Sequence, residues 1–352
     1  MNILFAMKHR GNAGNTHAVA DYMRVGRKYG HSIALYGSPQ SWLPDLRFST
    51  DVTAFDRIIY LFESEIYRVK RLQEVALLCA FQRSDRVILD MDGMYNPMIV
   101  VDQYDRNHRD DSECRQWIEY YNSLSDQVMK PTLANLDVQG GAALPFYGYD
   151  PSLELDPASA PDKQYDIIHV GHNWWRWKEV ARKLLPAFEK IRDQVGEIGF
   201  VGLWWDSPPA EGPDAGLDQA FQSDPEAFRR LRIKTIPPVM YNEVIRTMSS
   251  ARINIFTQRP VLHHLKHLTL KYFEIFYADT IPLLMLDEDH AAAVYGPSGP
   301  ELTLSNRVAE KLLDALARPD HYRGVVHEVR RHLARHHSYD LRVEELIAAM
   351  RD

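Results

Sequence analysis

Twice along this chain, short apolar runs alternate with segments of helical spacing, and this alternation narrows the possible folds more than any other feature. In the first pass, residues 2–6 are apolar, 7–15 form a polar, glycine-bearing loop, and 16–29 carry Val19, Tyr22, Met23 and Val25 on one helical face. Further apolar runs follow at 32–36, 57–62 and 86–90, with helical spacing over 66–82. A second pass begins near Asp166. Strands are expected at 165–171, 198–202, 253–256 and 280–286, and helices at 177–191, 241–250 and 269–278. Continuous apolar strands separated by helices imply parallel sheets with crossover helices, which predicts an α/β chain of two doubly wound domains.

The 352 residues exceed what one hydrophobic core usually organises. Residues 150–163, rich in Pro, Asp, Ser and Ala, read as an exposed connection. The expected division is 1–149, 150–337 and a final helix, 338–352, that packs back on the first domain. The stretch 206–226 reads as a loop. Composition is that of a globular protein, 45% hydrophobic and 25% charged, and a net charge of −7 offers no general attraction to nucleic acid. Cys79 and Cys114 lie far apart without a CxxC neighbour. The opening apolar run is five residues long and is followed by Lys8, His9 and Arg10, unlike a secretory leader, so a cytoplasmic location is expected.

The most specific passage is YNEVIRTMSSARINIFTQRP at 241–260, followed by LTLKYFEIFYADTIPLLMLDED at 268–289. Through Tyr241, Glu243, Asn254, Thr269, Lys271, Phe273 and Glu274 it resembles the nucleotide-sugar glycosyltransferases of the two-Rossmann GT-B architecture, in particular the group 1 branch with its spore-maturation-like proteins. More remotely it is similar to the phage glucosyltransferases that modify DNA bases. LPFYGYDP at 144–151, YDIIHVGHNWWRW at 165–177 and IGFVGLWW at 198–205 extend the likeness over most of the chain. The resemblance implies a nucleoside diphosphate sugar as donor, no cofactor, metal-independent transfer, and an acceptor in the interdomain cleft. A small-molecule acceptor is expected before nucleic acid.

The donor residues carried over are Lys271, Glu274, Thr269, Leu270, Arg176, His172, Ile236 and Pro237. A helix opening at Leu268 or Thr269 would seat a diphosphate on its free N–H groups, with Lys271 in its first turn. Glu274, three residues on, would take the ribose hydroxyls; otherwise the two side chains form an ordinary helix-surface ion pair. Arg176 could hold a phosphate bidentately, with His172 beside it, and backbone near Ile236 and Pro237 would read the base. The family's earlier glutamate is replaced by Lys266, and Asp279 stands where glycine is usual.

On the acceptor side, Gly11 and Asn12 form a loop at the end of the first strand, with His9 and His17 as cleft-facing candidates and His9 a catalytic candidate beside Asp92. Asp92 is the candidate general base for an inverting transfer, with a turn-forming Asp-Gly pair as the alternative. His263, His264 and His267 read as a basic loop beside the diphosphate, since nothing nearby completes a metal set. The histidines at 327, 332, 336 and 337 read as solvated. The rival functions are a nucleotide-sugar epimerase on the same architecture and a catalytically silent nucleotide-sugar binding protein.

Overall fold

The computed structural model describes residues 1–7, 14–62, 72–96, 111–136, 141–209, 218–305 and 307–351. Its apolar runs pair into two sheets. The first contains β1 (Asn2–Ala6), β2 (Ser32–Tyr36), β3 (Phe48–Ser49), β4 (Arg57–Phe62), β5 (Arg86–Asp90), β6 (Gln127–Lys130) and β7 (Ala142–Ala143), in the order β3-β2-β1-β4-β5-β6-β7. The second contains β8 (Tyr165–Val170), β9 (Ile198–Val201), β10 (Ile233–Ile236), β11 (Ala251–Phe256) and β12 (Ile281–Leu284), in the order β10-β9-β8-β11-β12. Every pairing is parallel, and in each sheet the order reverses beside the first strand, as in a doubly wound fold. The strands β3, β6, β7 and β10 were not expected from the sequence. They are short and three of them, β3, β7 and β10, lie at sheet edges, where less apolar surface is needed to hold them.

The first helix, Gly14–Lys28, buries Val19, Tyr22, Met23 and Val25 as its spacing requires. The expected helix over 177–191 forms as three joined pieces, Trp177–Glu179, a π-helical Val180–Leu184 and Leu185–Ile191. It widens just ahead of Pro186, which has no amide hydrogen to donate back. The helix expected over 269–278 contracts to Lys271–Glu274, continued by single turns as far as Tyr277.

The final helix, Tyr339–Ala349, is capped by the Ser338 hydroxyl, which accepts from the Leu341 amide at 3.3 Å. It packs on Gly14–Lys28, with the Tyr339 ring edge-on to Tyr22 at 5.9 Å. Ser338 also forms a bridge with Tyr149, so the two places where the chain passes between the sheets touch each other. Among the described residues no helix is long and apolar enough to cross a membrane.

Leu346 in the final helix is fully buried. Leu346→Ala is expected to lower unfolding free energy by about 3 kcal/mol in urea titrations, whereas Tyr29→Phe, which removes only an exposed bond to Asp340, should cost less than about 1 kcal/mol.

Candidate active site in the interdomain cleft

The two sheets meet through segments that follow strand ends. Gly14 and His17 come after β1, Asp92 after β5, and Pro131 and Thr132 after β6. Opposite them stand Tyr241, after β10, and Arg259, Lys266, Leu268 and Leu270, after β11. Asp92 and Arg259 form an ion pair across the cleft. The Thr132 hydroxyl donates to the Lys266 carbonyl at 2.8 Å, and the Leu268 amide donates to the Pro131 carbonyl at 2.6 Å. The rings of His17 and Tyr241 stack with centroids 3.3 Å apart and planes 5° from parallel. The carboxyl edges of both parallel sheets therefore face one cleft, which is where ligands bind in folds of this kind.

The turn after β5 is built around Asp90, which is fully buried. Its carboxylate accepts from the amides of Met94 at 3.0 Å and Tyr95 at 2.9 Å and from the Tyr121 hydroxyl at 3.0 Å. Burial raises its pKa to about 6, opposed by these bonds and by the charge of Lys130. Asp90 thus holds the turn, and Asp92 projects from it to Arg259. The turn-forming reading of Asp92-Gly93 describes this local structure. Gly93 has φ +74°, and a Cβ there would stand 2.2 Å from Leu265 of the opposite wall.

On the second sheet the order reverses between β8 and β11. Arg176 spans that point, donating to the His172 carbonyl at 2.7 Å and, more weakly, to the Thr257 carbonyl at 3.4 Å. Burial and then the charge of Arg259 lower its pKa to about 10, so it remains a cation at neutral pH. His172 accepts the Leu203 amide on Nδ1 at 2.9 Å, which leaves the proton of the neutral ring on Nε2. Although its ring borders solvent, enclosure by the cleft walls, then Arg176 and Lys271, lower its pKa to about 4. The same two cations act on His169 below it. The structure therefore brings Arg176, His172 and Lys271 together, and Lys271 is ion-paired with the buried Glu274. Thr269 and Leu270 lead into this turn, and Gly14 lies against Leu270. Ile236 ends β10 and Pro237 is exposed beyond it, on the approach to Tyr241.

Several expectations change. The diphosphate seat cannot rest on a long helix dipole, because Lys271–Glu274 is a single turn and the Leu268 amide is already bonded across the cleft. The loop histidines do not form a basic strip. His267 is fully buried and burial lowers its pKa to about 3, and His263 is lowered for the same reason. His337 is not solvated either: it is buried, receives a bond from Arg342 at 2.7 Å and is lowered to about 3. His9, Gly11 and Asn12 lie outside the described residues. The sequence reading missed Arg259, although its place directly beyond a strand beside the reversal point marked it. Among the described residues no three His, Cys, Asp or Glu side chains are grouped to hold a metal ion.

No family model matches the sequence, and no curated protein matches it. The architecture is nevertheless that of the GT-B glucosyltransferases of phage, matched over the whole chain. T4 phage BGT in complex with UDP-glucose is 12% identical, covering 99% of this chain and 97% of that one at a TM-score of 0.56. An alpha-glucosyltransferase in complex with UDP and a 13-mer DNA containing a HMU base is 13% identical over 100% of both chains, with a TM-score of 0.55. T4 phage BGT in complex with UDP and Mn2+ is 13% identical over 99% of both, with a TM-score of 0.56.

The buried histidines set a pH dependence. Burial lowers His169, His267, His290 and His337 to about 3 from 6.5, so the unfolded chain binds more protons between those values and stability rises with pH across that window. Asp90, raised from 3.8 to about 6, acts in the opposite sense over 3.8 to 6. The lowered histidines, His172 and His263 among them, outnumber the raised carboxyl of Asp90, so urea midpoints are expected to be lower at pH 5 than at pH 7.

Proposed function

We propose that the protein is a glycosyltransferase that moves a sugar from a nucleoside diphosphate sugar to a hydroxyl group held in the interdomain cleft. The observation that carries this reading is the convergence of Arg176, His172, Lys271 and Glu274 at the reversal point of the second sheet, directly across the cleft from Asp92. In this reading the diphosphate lies against Lys271 and Arg176, and the Glu274 carboxylate turns from Lys271 to the ribose hydroxyls. Ile236 and Pro237 border the base. Thr269 and Leu270 supply backbone close to the phosphates, and His172 donates from Nε2.

The acceptor oxygen attacks the anomeric carbon as the bond to the diphosphate oxygen breaks. The electron pair leaves with the nucleoside diphosphate, and the acceptor proton passes to Asp92. Cations preorganised at the leaving group stabilise the charge developing there, and they take the part that a metal ion plays in other transferases. The similarity to UDP-glucose-bound and DNA-bound structures supports UDP-glucose as the first donor to test and a hydroxymethylated base in duplex DNA as the first acceptor, ahead of small hydroxyl compounds. The net charge of −7 is a property of the whole surface and does not describe this cleft, where Arg176, Arg259 and Lys271 gather.

Two measurements test the reading. Glu274→Ala is expected to weaken UDP binding at least about tenfold by calorimetry. Asp92→Asn is expected to cut turnover by about 10²–10⁴ while donor binding survives. A transfer rate that collapses on chelation and returns with Mn2+ would reject metal independence. Sugar conversion without any acceptor would identify an epimerase, and donor binding with no turnover on any acceptor would identify a binding protein.

A further inference from the structure

Arg259 stands between the two halves of the cleft. It follows β11 and immediately precedes the short helix Pro260–His264, and its guanidinium is ion-paired with Asp92 of the opposite domain. Both side chains are withdrawn from water, with 15% and 10% of their surface exposed. Arg259 is also close enough to Arg176 to lower its pKa, so the same guanidinium borders the cluster of Arg176, Lys271 and His172. Lys271 has Glu274 as its counter-charge, and Arg259 has Asp92. A diphosphate entering beside Arg176 would bring several negative charges and oxygens that match the fork of a guanidinium.

We infer that Arg259 couples the two substrate positions: Asp92 holds it while the donor is absent, and the donor's diphosphate draws it away, leaving the Asp92 carboxylate to the acceptor hydroxyl. The inference rests on the glycosyltransferase reading above. It makes Arg259 a positioning residue that acts on the base through an ion pair. It also orders the reaction, because the base is released only once a leaving group is in place. His267 also borders Asp92, and because burial holds it neutral it brings no charge that competes with Arg259 for the carboxylate.

The test needs only UDP and calorimetry. If Asp92 and the diphosphate compete for Arg259, Asp92→Asn should tighten UDP binding by about five- to tenfold, the effect of deleting one competing ion pair. Arg259→Ala should weaken UDP binding by about tenfold or more, and Arg259→Lys should recover part of that loss. The Asp92→Asn, Arg259→Ala double variant should bind UDP like Arg259→Ala alone, because the gain from Asp92→Asn needs the arginine. A purely structural ion pair would give the opposite pattern, with Asp92→Asn leaving UDP affinity unchanged or weaker, and that result overturns the coupling. Wild-type affinity in Arg259→Ala overturns it as well. Failure of the unsubstituted protein to bind UDP or any other nucleoside diphosphate overturns the donor reading itself and the coupling with it, so the two failures are distinguishable.

Discussion

Parallel pairing of the strands is the constraint from which the rest of this molecule follows. A parallel strand cannot turn straight back, so each connection runs along a face of the sheet and every strand delivers its next loop to the same edge. In both halves that edge carries the polar residues: Asp90 at the end of β5 and Asp92 just beyond it, His172 and Arg176 after β8, and Arg259, Lys271 and Glu274 after β11. Setting two such edges face to face concentrates the chemistry of both sheets in one crevice. The Asp92–Arg259 pair is the direct electrostatic link across it.

The arrangement is braced where the chain passes between the sheets. Tyr149 and Ser338 bridge each other where the chain passes between sheets, and the Tyr149 amide donates to the His337 carbonyl at 2.7 Å. The Asp150 amide donates to the Tyr277 hydroxyl at 3.0 Å, and Asp150 pairs with Arg24 of the first helix at 2.6 Å. These contacts join both passages of the chain to both domains at one place. Across the cleft the described residues contribute the Thr132–Lys266 bond, the His17–Tyr241 stack and the Asp92–Arg259 ion pair.

Charge inside the cleft differs in kind from charge over the whole chain. Several histidines that look cationic in the sequence are neutral because the fold buries them, so the positive character comes from Arg176, Arg259 and Lys271. Arg259 and Lys271 are balanced by carboxylates, Asp92 from one domain and Glu274 from the other.

The periodicity of the sequence was sufficient for the class of fold, for the first helix and for the final helix with its Ser338 cap, because the apolar stripe and the cap are both encoded within a few residues. The tract around Lys271 and Glu274 was also legible, as was the candidate position of Asp92. Asp279, which departs from the family pattern, proves to be part of a surface pair with Lys163 at 2.8 Å. What the sequence could not show is partnership at long range. Asp92 meets Arg259 from 167 residues away, and His267 loses its charge only because the opposite domain and its own loop enclose it. Local pattern is set by near neighbours along the chain and can be read there. Ion pairing, burial and the protonation they impose depend on which distant segments the packed sheets bring into contact, and only the tertiary structure decides that.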